Sequence, residues 1–286
     1  MTLLAQPIKG LTKDLAKVVA RLSDGATTPK NIHRLRTTIR RIESLVSYAH
    51  PDLGKKLERS LETLEDLRKR AGKVRNADVQ RKLLDKIGNG STAKDRKALL
   101  DILDKKREKQ AERLNSALTK CADTKFFSRM DRVAGKVALG PSAPHQLLAP
   151  LEEAHSQLAR LAADFSSRQS LRPNRLHEAR IQLKKIRYLA ELADESPEGK
   201  VFVDEIKAVQ DTLGEWHDWE ELTRLGEKHF AGRVNCALLR EVRALFAARQ
   251  SAAVSAITTL FTSAAVPAAK KPPSTAQPLR TSAQRA

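Results

Sequence analysis

Aromatic residues make up only 4% of this 286-residue chain, and cysteine and methionine occur twice each. Cys121 and Cys236 stand far apart without C-x-x-C spacing, which excludes a disulfide framework and a cysteine zinc site and leaves two small core or surface thiols. With few aromatics there are few platforms on which nucleic-acid bases could stack. No uninterrupted run of about 18 apolar residues is present, and no N-terminal run of signal-peptide length, so a soluble, cytoplasmic protein without a membrane partner is expected. Alternating Val/Ile/Thr segments with Asn-Gly turns are missing, which points away from sheets. G-x-S-x-G, H-E-x-x-H and P-loop motifs are also lacking. Gly135 to Ser142 (GKVALGPS) comes near the last but has no lysine after its second glycine. No catalytic group, metal or cofactor is therefore expected. Negative charge is scarce too: 34 Asp and Glu against 53 Lys and Arg give a formal net charge of +19. Such an excess suits a polyanionic partner, whether a phosphate polymer, nucleic acid or acidic lipid.

What the chain does have is helical periodicity, and one helix organises the rest. From Arg175 to Glu191, His177, Arg180, Lys184 and Arg187 recur at i, i+3, i+7 and i+10 and share one side of a helix. Leu176, Ala179, Leu183, Ile186 and Ala190 keep the same spacing one position earlier. An apolar stripe thus lies beside a cationic one, and only the first can enter a core. Alone, the cationic stripe would read as a solvated face with Glu178 and Glu191 as local charge partners. A second copy argues otherwise. Asn31 to Glu43 sets His33, Arg36, Arg40 and Arg41 against Ile32, Leu35, Ile39 and Ile42. His33 then matches His177, Arg36 matches Arg180, and Arg40-Arg41 match Lys184-Lys185.

Each basic helix is followed by an apolar segment that reaches a glycine with a polar cluster after it. Gly72 matches Gly214, Val74 matches Trp216, Arg75 matches His217, and Asn76 matches Asp218. Two correspondences in the same order imply an internal duplication. In these motifs, HRLRTTIRR and HEARIQLKK with the turn VQDTLGEWHD, the chain resembles the CHAD domain family over about residues 1 to 265. In the first half Asn76 replaces the turn's aspartate, and the acidic residue comes later, at Asp78. The resemblance implies an all-α fold of two four-helix bundles related by pseudo-twofold symmetry. It also implies a basic channel that binds inorganic polyphosphate; a non-enzymatic role and a place at polyphosphate granules are expected with it.

Linker composition divides the chain into a first bundle, 1–140, a second, 141–266, and a basic, disordered tail, 267–286, rich in proline. Gly140 to Pro144 is the linker between halves. Helices are expected from about Thr2 to Leu22, from Pro29 to before His50, and from Pro51 to Gly72. Further ones are expected over Val74–Ile87, Thr92–Thr119, His145–Phe165, Val201–Leu213, Trp216–His229 and Val234–Phe261, with Gly72 and Gly214 as helix ends.

Phosphate chains call for arginine forks and for single contacts from lysine or protonated histidine. The expected contacts are His33, Arg36, Arg40, Arg41, His177, Arg180, Lys184, Lys185 and Arg187, with Arg75 and Lys207 added from the following helices. A metal at His33 or His177 is disfavoured by the adjacent cations. His217-Asp218 with Glu220 and Glu221 is a better metal candidate, weighed against helix capping or an interhelical hydrogen bond. Two other functions stay open on the residues: a polyphosphate-processing phosphohydrolase, and a protein that binds nucleic acid non-specifically through its backbone phosphates.

Overall fold

Ile32, Leu35, Ile39 and Ile42 are fully buried, and so are Leu176, Ala179 and Leu183, so the two apolar stripes orient the helices that carry the cations. In the computed structural model the described residues are 4–49, 52–87, 92–122, 125–140, 149–165, 172–192, 196–233 and 236–265. Among them are nine α-helices and no strand: α1 (Ala5–Ser23), α2 (Pro29–Ala49), α3 (Lys55–Asp85), α4 (Ala93–Ala122), α5 (Phe126–Leu139), α6 (Pro150–Asp164), α7 (Pro173–Ala190), α8 (Pro197–His229) and α9 (Ala237–Ala265). The fold is all-α. The expected linker at 141–144, the glycine-rich break at 88–91 and the tail lie outside the described residues.

Proline opens several helices where its missing N–H costs nothing: Pro29 in α2, Pro150 in α6, Pro173 in α7 and Pro197 in α8. Ser196 caps α8, its Oγ accepting from the Gly199 N–H at 3.0 Å. Gly54, at φ 68°, turns the chain into α3.

Neither Gly72 nor Gly214 ends a helix, contrary to the sequence expectation. α3 and α8 run through them for 31 and 33 residues. A mid-helix glycine costs about 1 kcal/mol relative to alanine, and the apolar stripes that continue past each one outweigh it. Leu64, Leu67, Ala71 and Val74 form an unbroken series in α3, as do Ile206, Val209, Leu213 and Trp216 in α8, all buried.

The first half also holds a helix the periodicity reading did not assign. α5 packs on α1 and α3, burying Phe126, Met130, Val133 and Val137 in the first core. Helices α1–α5 surround that core, and α6–α9 surround a second. A third cluster is shared between the halves: Leu84, Leu99 and Leu103 meet Trp219, Leu222 and Leu238. α9 is long and apolar enough to cross a membrane by length and composition. Here it packs against α8 and α6, with Leu238, Val242, Ile257 and Phe261 buried in the second and third cores.

Between the halves, α2 packs on α7 and α3 on α8. Helices that correspond in sequence therefore meet each other, and the two cationic stripes converge at the α2–α7 contact.

Candidate anion-binding site

Arg36 and Arg40 of α2 meet Arg180 and Lys184 of α7. The charge on Arg40 and Arg180 bears directly on Arg36, and that on Arg180, Arg40 and Arg36 bears on Lys184. All four are partly buried. Among the described residues, none of the four has a carboxylate within 4 Å. Asp218, Glu220 and Glu221 of α8 lie farther off and favour the charge on Arg180.

Burial and crowding shift the acid–base equilibria of this group. Burial first, then Arg180, Arg40 and Arg36, pushes the Lys184 ammonium down to about 6 from 10.5. Burial, followed by Arg40 and Arg180, brings Arg36 down to about 9, still fully charged at neutral pH. Burial also lowers His33, helped by Arg75, Arg36 and Arg187, and lowers His177, helped by its neighbours His217, Arg180 and Lys184. His33, Arg75 and Arg187 thus belong to the same cationic field as the central four.

The remaining expected contacts sit differently. Arg41 is exposed and committed to Glu191, donating from Nε at 3.1 Å and from Nη2 at 2.9 Å. Arg187 approaches the same carboxylate at 3.5 Å and lies over the Tyr188 ring, 4.8 Å from its centroid. Lys185 is exposed and lines the neighbouring groove. Lys207 is exposed on α8 and does not line that groove.

Two neighbours of the cluster are not among the phosphate contacts expected from the sequence. Arg68 of α3 bears on Arg36 and donates from Nε to Glu43 at 2.9 Å. It shares one side of α3 with Gly72 and Arg75 at i, i+4 and i+7, a spacing visible in the sequence. His217 stacks on His177 across α7 and α8, with ring centroids 5.3 Å apart and planes at 28°. Its Nδ1 is buried without a hydrogen-bond partner, 3.6 Å from Asp218. Among the described residues no group of three or more His, Cys, Asp or Glu side chains could hold a metal ion. Asp78, the displaced acidic residue of the first half, turns away to α4. There it accepts from Arg107 Nε at 2.6 Å.

A groove of about 1030 Å³ opens beside the cluster, lined by Arg40 of α2 and by His177, Arg180, Lys184 and Lys185 of α7. Unpaired cations held this close favour an anion with several charges, since each phosphate contact restores what burial removed.

The CHAD domain family model matches residues 9–227 of this chain. Among solved structures, the chain is similar to the CHAD domain from the plant Ricinus communis, with a TM-score of 0.63 and 18% identity over 91% of this chain and 90% of that one. It is likewise similar to PptA from Streptomyces chartreusis, with a TM-score of 0.61 and 16% identity over 92% and 97%. At these identities the likeness concerns the fold. No curated protein sequence matches significantly.

Proposed function

The chain belongs to the CHAD domain family, and on that premise we propose that it binds inorganic polyphosphate, a linear phosphate polyanion, in a basic channel between its halves without cleaving it. The observation that carries this reading is the group Arg36, Arg40, Arg180 and Lys184. These are four mutually close, partly buried basic side chains from both halves, with no carboxylate within ion-pairing distance among the described residues; without ligand Lys184 gives up its proton at about pH 6. The arginines repel one another and hold Lys184 largely neutral at neutral pH, and a polyanion offsets that repulsion and restores the lysine's charge. Two helices that supply equivalent cations from opposite sides suit a linear ligand whose charge repeats along its length. His33, His177 and Arg75 extend the contact, and His217 joins them at the edge. A cytoplasmic location with association to polyphosphate granules belongs to the same proposal.

The test is a competition at matched salt between long-chain polyphosphate and single-stranded RNA for a labelled polyphosphate, read by anisotropy. Polyphosphate is expected to compete more strongly, because the site offers closely set cations and few aromatic platforms. Stronger competition by RNA would assign the protein to nucleic acid instead. Shortening of the polymer with time under added Mg²⁺, followed on a gel, would assign it to phosphohydrolysis.

A further inference from the structure

The groove beside the cations has a second kind of wall. Ile181 is one of the few large hydrophobic side chains left exposed on the described surface, at 41%, and it lines this groove on the α7 side. Half-buried Tyr48 and Leu61 line it as well. Inorganic polyphosphate has no apolar surface, so these side chains gain nothing from it. At about 1030 Å³ the groove stands at the top of the range that encloses a small-molecule ligand.

The groove's polar groups also divide by role. Glu43 is taken by Arg68 at 2.9 Å, Glu65 by Lys69 at 3.0 Å, and Glu153 by Arg160 at 2.9 Å. They leave Arg40, Arg180, Lys184 and Lys185 as the lysines and arginines of the lining without an ion-pair partner among the described residues, and Glu62 as its carboxylate without one. Ser44, Ser47 and Gln157 stand among the apolar side chains and offer hydrogen bonds at their margin. A ligand matched to all three features carries phosphates together with a flat apolar face that has a polar edge. An acyl chain would leave that margin unsatisfied.

We propose that the groove lined by Ile181, Tyr48 and Leu61 binds a nucleoside triphosphate, its phosphates on Arg40, Arg180 and Lys184 and its base against the apolar wall. This assignment rests on the anion site proposed above, because it uses the same cations. The nucleotide and the polymer would therefore exclude each other.

Calorimetric titration with ATP and with inorganic tripolyphosphate, at one ionic strength and with EDTA present, separates the two readings. Both carry three phosphates, and tripolyphosphate has no less charge, so cations alone would make it bind at least as tightly. The apolar wall should reverse that order, with ATP tighter by roughly tenfold, the size of one base contact with such a wall. Ile181→Ser, a change at an exposed site, should bring ATP down to the tripolyphosphate level and leave tripolyphosphate unchanged. Tripolyphosphate binding as tightly as ATP, or an ATP affinity indifferent to Ile181→Ser, would overturn the nucleoside assignment and leave the anion site standing. Binding of neither would overturn both.

Discussion

The Arg36 guanidinium lies against the backbone of α3 at Gly72, so that a β-carbon there would come within 3.0 Å of Arg36 Nη1. At the matching Gly214 nothing lies within 4 Å of that position. The glycine of the first half makes room for the Arg36 guanidinium, and its counterpart makes room for no side chain. Gly214→Ala should accordingly stabilise the protein by roughly 0.5–1 kcal/mol through helix propensity. Gly72→Ala should gain less and should weaken polyphosphate binding by displacing Arg36. Thermal melts and a binding isotherm on the two variants check this. Equal effects would mean that the Arg36 contact is immaterial.

Proton linkage follows from Lys184. Its folded pKa of about 6 lies below the ordinary 10.5, so between these values the unfolded chain holds the extra proton and stability rises with pH. His33 and His177, lowered from 6.5, act in the same direction below that value. Glu43, raised from 4.5 chiefly by burial, acts oppositely just above 4.5. The ligand-free melting temperature should therefore climb from pH 6 to pH 8, and Lys184→Met should flatten the climb. An unchanged pH profile in that variant would contradict the placement of Lys184.

Polyphosphate should reverse the field at the same group and draw protons into the site. Titration at pH 7 in buffers of different ionisation enthalpy should count net proton uptake on binding. Lys184→Met should lower the count, and His33→Gln with His177→Gln should lower it further near pH 6. A count of zero at both pH values would exclude this coupling.

Asp78 and Arg107 form a structural pair away from the α2–α7 cation cluster. Asp78 is only 6% exposed, and Arg107 also donates to the Thr27 carbonyl at 2.8 Å. Arg107→Ala leaves a buried carboxylate without its partner and should cost about 3–5 kcal/mol, read as a lower denaturation midpoint. Loss of under 1 kcal/mol would show that water or another donor replaces the Arg107 contact.

The helices that hold the cations were legible in the sequence because their apolar and cationic stripes share one period, and burial of Leu35, Ile39, Leu183 and Ile186 follows from it. The glycines misled: a glycine is a common helix terminus, yet the apolar spacing through Ala71 and Val74 continued past it. Arg41 looked equivalent to Arg40 in sequence, but its partner Glu191 lies 150 residues away, a pairing no local pattern contains. The third core, which joins Leu103 to Leu222, was hidden for the same reason. It makes the isolated halves incomplete.

The most direct test of the account is the salt dependence of long-chain polyphosphate affinity in two double variants, Arg36→Gln with Arg40→Gln and Arg180→Gln with Lys184→Gln, against Arg41→Gln and Lys207→Gln as controls. Each pair of cations removed should weaken binding comparably and flatten the plot of log affinity against log salt by about one to two units. The controls should change little, since Arg41 is committed to Glu191 and Lys207 lies off the groove. Double variants that keep the wild-type affinity and slope would contradict a shared site between α2 and α7.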